Sequence, residues 1–406
     1  MEPRDLEGKN VLLGVTGCIA AYKALEVVSR LRKRGGSVSV AMTESATRFV
    51  APLSFRTISD SPVYLDMFAE PNRWNVEHIA LAEWADLMVV APATGNIMAK
   101  AANGIADDYL STLLLAFPGP KLLAPAMNTH MWQNPATRRN TRQLIEDGYG
   151  IVEPEVGRLA SGAVGPGRFP DPATVVDEIS SFAHSDDTLA GTTVLITAGP
   201  TREYFDPVRF LSNPSTGKMG YALARAVREQ GARTILVSGP VELTPPRGVE
   251  FIPVVSAEEM RRVCLDHWCE VDILMMSAAV ADARPVHYMQ DKGKKDADAL
   301  LGDVIPTPDI LRELGAQKGD RLIVGFAAET DREAAAENAR KKLRAKGADL
   351  IALNFVGGDE SAFGSEENQI VLISQSGEEE LPRAHKIQVA RALVNRVVRT
   401  LRGAES

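Results

Sequence analysis

Short apolar runs alternate with helix-patterned segments along almost the whole chain, and the alternation starts twice, at Asn10 and again at Thr192. Apolar runs separated by helical crossovers make parallel strands with helices packed across the sheet. In the first half the runs are VLLGV, SVSVAM, DLMVVAP and KLLAPAM; in the second they are TTVLITAG, RTILVSG, VDILMMSAA, RLIVGFAAE and ADLIALNF. Between the first two runs, residues 19–34 carry apolar side chains at helical spacing and stop at Gly35-Gly36, a helix-ending signal. Asn134-Pro135 opens another helix, with a capping residue and then proline in the first turn. The expected class is α/β, two doubly wound, Rossmann-like parallel-sheet domains. They are expected at residues 1–182 and 191–406, with a linker over 183–190 in the polar stretch His184-Ser185-Asp186-Asp187-Thr188.

A length of 406 residues suits two or three domains of ordinary size. Against 45 basic side chains stand 53 acidic ones, a net charge of −8, which disfavours a phosphate-backbone grip on nucleic acid and points to small-molecule partners. No apolar run approaches the roughly 18 residues a membrane span needs. The early apolar stretch 11–21 follows a leader unlike a secretory n-region and reads as a first strand and turn. Three cysteines, Cys18, Cys264 and Cys269, are too few and too unevenly spaced for a disulfide framework, so a cytoplasmic protein is expected. Cys264, His267 and Cys269 sit on a helical stretch without a second ligand pair, which favours helix packing over a zinc site. The sequence names no metal ligands.

In open parallel sheets ligands sit outside the carboxyl ends of the strands, and the residues there are unusually small and polar in this chain. After the first run comes Gly14-Val15-Thr16-Gly17-Cys18-Ile19, whose glycines allow a tight turn before a helix N-terminus. Thr43, Glu44 and Ser45 follow the second run, with hydroxyls suited to a phosphate or ribityl chain; Thr94, Gly95 and Asn96 follow the third, and Met127-Asn128 the fourth. The first turn is not a full G-x-G-x-x-G fingerprint, yet four such loops together argue for a nucleotide-like cofactor. His78 lies one element upstream of the third loop and has the side chain of a general base. The glycine-rich run 157–168 (GRLASGAVGPGR) is long enough to act as a flap.

GVTGCIAAYK (14–23), the stretch from Pro92 through AANGIAD (101–107), PAMN (125–128) and the glycine-rich run together resemble the flavin-dependent phosphopantothenoylcysteine decarboxylases. The second half resembles phosphopantothenate-cysteine ligase in TAGPTREYFDPVRFLSNPSTGKMG (197–220), SAAVAD (277–282), DKGKK (291–295), PDIL (308–311), GFAAET (325–330) and FGSEEN (363–368). The resemblance implies a bifunctional enzyme of coenzyme A synthesis. Phosphopantothenate and cysteine would be joined with CTP and Mg2+ through an acyl-cytidylate, and phosphopantothenoylcysteine then decarboxylated to phosphopantetheine with FMN. It also implies a homo-oligomer, a trimer-based decarboxylase shell with dimeric ligase domains. Carried over by position, His78 is the catalytic histidine and Asn128 the holder of the substrate carboxylate, while Gly17, Cys18, Thr43, Ser45, Thr94, Asn96 and Met127 fall at or beside flavin contacts. One position departs: Ser161 stands where the family's flap has the cysteine that acts as final acid.

For the ligase half, the resemblance assigns Asn213 to the acyl intermediate and Lys292, first lysine of KGKK, to the nucleotide phosphates. The run LSNPSTGKMG is not a Walker motif, since it lacks the first glycine and places Met219 after Lys218. Ser277, Ala278, Asp282, Pro308, Asp309, Ile310, Leu311, Phe326, Lys342 and Lys346 are the expected CTP contacts. The two last lysines are four apart and so share a helix face. A competing reading is a flavin-dependent oxidative decarboxylase of cysteinyl thiols, which needs no flap cysteine; a second is a non-catalytic flavoprotein module. The ligase-like second half opposes the former, and the full set His78, Asn128, Asn213 and Lys292 opposes the latter.

Overall fold

The computed structural model describes residues 3–67, 77–291, 303–329, 332–355 and 364–403. Among them the chain divides into two compact units, Glu2–His184 and Ser185–Ser406.

The first unit is built on β1 (Asn10–Val15), β2 (Ser37–Met42), β3 (Val63–Tyr64), β4 (Leu87–Ala93), β5 (Lys121–Pro125) and β6 (Gly150–Ile151). These form one parallel sheet of order β3-β2-β1-β4-β5-β6, so the strand order reverses between β1 and β4, where Val11 pairs with Leu87. Helices cover both faces, which is why β4 is buried at every residue and reads as an unbroken apolar run. Along β1 the side chains alternate: Val11, Leu13 and Val15 join one core, Leu12 the other. The helix Lys23–Lys33 buries Ala24, Val27, Val28 and Leu31 at helical spacing, and Gly35 follows it at φ 89°, a conformation that favours glycine. The apolar pattern marks four of these six strands; β3 and β6 are two residues long and carry no pattern of their own.

The glycine-rich run folds as an antiparallel hairpin of β7 (Glu155–Arg158) and β8 (Val164–Arg168). The helix Pro172–Ala183 closes the unit, and the segment after it is tied into the second unit by Asp186 N–H to Glu229 O and Leu189 N–H to Gln230 O, both 2.8 Å.

The second unit starts with β9 (Thr193–Ala198), the hairpin β10 (Arg202–Tyr204) and β11 (Phe210–Ser212), then β12 (Arg233–Ser238), β13 (Glu250–Pro253) and β14 (Ile273–Met276). A second small hairpin, β15 (Ala283–Pro285) and β16 (Val304–Pro306), precedes β17 (Leu322–Glu329), β18 (Leu350–Phe355), β19 (Glu367–Ile373) and β20 (Glu378–His385). The eight-stranded sheet runs β13-β12-β9-β14-β17-β18-β19-β20: six parallel strands reversing order between β9 and β14, and an antiparallel hairpin appended at one edge. That hairpin and β13 are not among the apolar runs of the sequence, because β20 is nearly continuous in charge (EEELPRAH) and β13 is only four residues long. Cys264 packs in this unit's core, where burial pushes its thiol up to about 12. Among the described residues no helix is long and apolar enough to cross a membrane.

Candidate active sites

Three adjacent strand ends of the first unit are drawn together by their own polar residues. Thr16, just past β1, donates its hydroxyl to Pro92 O at 2.7 Å and accepts the Thr94 N–H at 3.1 Å, which couples the β1 and β4 ends. A Cβ at Gly17 would lie 2.4 Å from Ser45 Oγ, so the β1 and β2 loops approach in a way only glycine admits. Thr43 and Thr94 each cap the short helix that follows, accepting the N–H of Ala46 and Ile97, and the Thr43 and Ser45 hydroxyls lie 3.1 Å apart. Asn96 is exposed beside them. Gly17, Thr43, Ser45, Thr94 and Asn96 therefore share the point where the strand order reverses, the position at which such sheets bind nucleotide-like ligands.

Next to this rim opens a cleft of about 640 Å³, lined among others by Cys18, Lys23, Met127, Asn128, Arg158 and Ser161. Gly167 joins the flap to the cleft floor: its carbonyl accepts the Met127 N–H at 3.0 Å, and at φ 126° a Cβ there would come within 2.3 Å of Met127 O. Asn128 caps the helix Thr129–Gln133, and its Oδ1 accepts the His130 N–H at 2.9 Å, leaving the amide NH2 as the group it can offer a ligand. Ser161 is exposed in the turn between β7 and β8, which is closed by Leu159 N–H to Ala163 O at 2.8 Å. Burial pushes the Cys18 thiol up, keeping it protonated. His78 is half-buried in the first turn of the helix Glu77–Trp84 and does not line this cleft; because that helix leads into parallel β4, its start lies on the carboxyl-end side of the sheet. A mostly apolar cleft with few convergent donors, beside a rim of hydroxyls and backbone N–H groups, fits a planar ring system carrying a polar, anionic chain.

In the second unit the corresponding reversal holds a smaller cavity of about 120 Å³, lined by residues 215–220, Ser277–Ala279, Phe326–Ala328, Asn354, Asn368 and Lys386. Gly217 caps the helix Lys218–Glu229 at φ 73°, and a Cβ at Gly220 would meet Ala198 Cβ at 2.5 Å and Ser277 Oγ at 2.7 Å, so the helix N-terminus is pressed against β9 and β14. Asn213 stands just outside: its amide donates to Ala279 O at 3.3 Å and Val280 O at 2.9 Å, holding the β14 end in place. Asp282 and Pro308–Leu311 come together through Thr307, whose N–H donates to Asp282 O at 3.1 Å. Asp309 caps the helix Ile310–Ala316 and pairs with Lys346, while Lys342 pairs with Glu329 at 2.7 Å. The two lysines thus engage two different carboxylates, Glu329 at the β17 end and Asp309 at the start of the helix Ile310–Ala316, rather than one common point. Lys292, with the rest of its basic cluster, lies outside the described residues.

Sequence reasoning missed Asn354, Asn368 and Lys386 as cavity residues. Asn354 had a findable signal, a polar residue ending the apolar run ADLIALNF; Lys386 had none, being a lysine at the start of the last helix.

Residues 1–184 match the family described as Flavoprotein, and 189–401 the family described as DNA/pantothenate metabolism flavoprotein C-terminal domain. Over 390 residues the chain is 48% identical to the coenzyme A biosynthesis bifunctional protein CoaBC of Bacillus subtilis (strain 168), covering 95% of each chain. The chain belongs to this CoaBC family. The Escherichia coli (strain K12) protein of the same name is 42% identical over 399 residues, covering 97% of this chain and 98% of that one. CoaBC homologues are bifunctional decarboxylase and ligase enzymes, with a flavoprotein domain followed by the C-terminal domain. Among solved structures, the C-terminal domain of a CoaBC protein is 39% identical, covering 54% of this chain and all of that one, with a TM-score of 0.46. A PPC decarboxylase mutant complexed with pantothenoylaminoethenethiol is 33% identical, covering 44% and 99%, with a TM-score of 0.41.

Proposed function

We propose that the second unit joins phosphopantothenate to cysteine with CTP through an acyl-cytidylate, and that the first unit decarboxylates phosphopantothenoylcysteine to phosphopantetheine with FMN. The observation that carries this reading is a polar strand-end site in each unit of a chain that aligns over nearly its whole length with bifunctional relatives.

Gly17, Cys18, Thr43, Ser45, Thr94, Asn96 and Met127 are the residues that would hold the flavin, the hydroxyls and backbone N–H groups at its ribityl phosphate and Met127 at its ring. When bound, the flavin supplies reversible two-electron oxidation of the cysteinyl side chain. The chain's own residues do the rest. The thiol proton is assigned to His78 by the resemblance alone, since His78 does not line the cleft; within the cleft the Asn128 amide NH2, its oxygen already engaged by His130, donates to the substrate carboxylate and orients it for loss of carbon dioxide. The flap residue must return a proton at the end. A thiol with a pKa of about 8.5 does this near neutral pH, whereas the Ser161 hydroxyl is a far weaker acid, so that last step is slowed here.

In the ligase unit, Ser277, Ala278, Asp282, Pro308–Leu311, Phe326, Lys342, Lys346 and Lys292 are assigned to CTP and Asn213 to the acyl intermediate. For the two lysines this means exchanging Glu329 and Asp309 for phosphate. Magnesium is assigned to the nucleotide phosphates, its usual place. The assembly is expected to be a homo-oligomer in the cytoplasm.

The test is to incubate the protein with phosphopantothenate, cysteine, CTP and magnesium and identify every product by mass, alongside the flavin absorbance of the purified protein. Phosphopantothenoylcysteine, CMP and a decarboxylated product are expected from a yellow protein. A colourless protein that FMN does not reconstitute would refute the decarboxylase assignment, and no CTP-dependent ligation would refute the other. An oxidised enethiol as the sole end product would favour the oxidative decarboxylase, the reading that Ser161 supports.

A further inference from the structure

The first-unit cleft collects basic side chains from separate parts of the chain. Lys23 opens the helix Lys23–Lys33 and is half-buried, with its Nζ 5.9 Å from the centre of the Phe169 ring, a buried residue of the same wall. Arg158 ends β7 and Arg168 ends β8, both exposed, so the flap brings two guanidinium groups to the cleft that Lys23 lines. Among the described residues of that lining, these are the charged ones and none is acidic. The carboxylates nearest to them in sequence take other partners. Glu26, in the first turn of the lysine's helix, pairs with Arg30 at 2.8 Å; Glu155, cross-strand from Arg168, accepts the Asp171 N–H at 3.0 Å, and Asp171 caps the helix Pro172–Ala183. A lysine in a first helical turn also meets the positive end of the helix dipole, a placement that a bound anion offsets. Arg168 lies across Gly157, where an added Cβ would stand 3.1 Å from its Cδ and Nη1, so its course along the hairpin depends on a residue without a side chain.

We propose that Lys23, Arg158 and Arg168 form a subsite for a terminal phosphate monoester, that of the decarboxylase substrate, and so select the phosphorylated compound over its dephospho form. This rests on the decarboxylase reading of the first unit. Such a substrate carries two anions at opposite ends of an extended chain. Asn128, a neutral amide, suits the carboxylate, which leaves as uncharged carbon dioxide and would only be held back by a strong cation beside it. The phosphate keeps its charge throughout, and two planar guanidinium forks with an ammonium match a dianion that takes several charge-assisted bonds at once. The flavin carries a phosphate of the same chemistry, but the strand ends already offer it the Thr43 and Ser45 hydroxyls and backbone N–H groups.

The experiment uses the full chain loaded with FMN and compares carbon dioxide release in the first turnover, at subsaturating substrate, from phosphopantothenoylcysteine and from pantothenoylcysteine. Flavin content per protein is measured in parallel. Wild-type protein is expected to favour the phosphorylated substrate by roughly 100-fold or more. Lys23→Met, Arg158→Met and Arg168→Met each lower the rate on it by roughly tenfold and the rate on pantothenoylcysteine by far less, while Lys23→Arg keeps most of the preference. A merely structural residue would lower both rates together, and the melting midpoint with them. Wild-type protein without a preference between the two substrates, or variants that slow both equally, overturns the inference alone. So do variants that lose flavin and keep the preference, which would give these residues to the flavin phosphate. Wild-type protein that releases carbon dioxide from neither substrate overturns the reading beneath it.

Discussion

Gly167→Ala tests whether flap and cleft floor are one mechanical unit. At φ 126° the position favours glycine, and an alanine there carries backbone strain of about 1–3 kcal/mol. Its Cβ would also stand 2.3 Å from Met127 O, so the two segments must separate by about 1.1 Å to reach an ordinary contact of 3.4 Å. That movement lengthens the 3.0 Å bond from Met127 N–H to Gly167 O, worth about 1 kcal/mol. The expected loss is about 2–4 kcal/mol, a fall of roughly 5–15 °C in the melting midpoint of the first unit. Because Met127 and Asn128 move with it, flavin content falls too. Gly162→Ala is the control: φ is 85°, but nothing lies within 4 Å of its added Cβ, so it carries only backbone strain of about 1–2 kcal/mol and keeps its flavin. Thermal unfolding followed by flavin fluorescence, with the ratio of flavin to protein absorbance, reads both effects. If Gly167→Ala melts with Gly162→Ala and holds as much flavin, the coupling of flap to floor is wrong.

Ser161→Cys is expected to raise phosphopantetheine formation by at least tenfold over the chain as written, measured by mass with supplied phosphopantothenoylcysteine; equal rates would assign the final proton to another acid. Asn213→Ala removes two donated hydrogen bonds that hold Ala279 and Val280, so ligation should fall by roughly 5- to 100-fold while decarboxylation of supplied intermediate is unchanged. Ligation within twofold of the parent would exclude that role. Lys292→Ala is expected to lose ligation and keep the decarboxylase, read in the same coupled assay.

Much of the fold is legible in the sequence because its signals are local. A buried parallel strand must be apolar throughout, so β1, β4, β9 and β14 announce themselves, and Gly35 or Asn134-Pro135 mark helix ends through their own backbone chemistry. The residues just past each run, Gly17, Thr43, Thr94 and Asn128, stand out as site candidates from their place in the sequence, since parallel sheets leave ligands no other end. What the sequence does not contain is distance. That Ser45 closes on Gly17, that the carbonyl of Gly167 takes the Met127 N–H, and that Lys342 and Lys346 answer to separate carboxylates are consequences of strand order and helix rotation. Lys386 is the sharpest case. Alone it is a charged residue beginning a helix, and only the packing of β19 and β20 onto β18 brings that helix start into one cavity with Lys218 and the β14 end. Local chemistry chose the strands and their ends; the order in which the sheet stacks them decided which side chains meet.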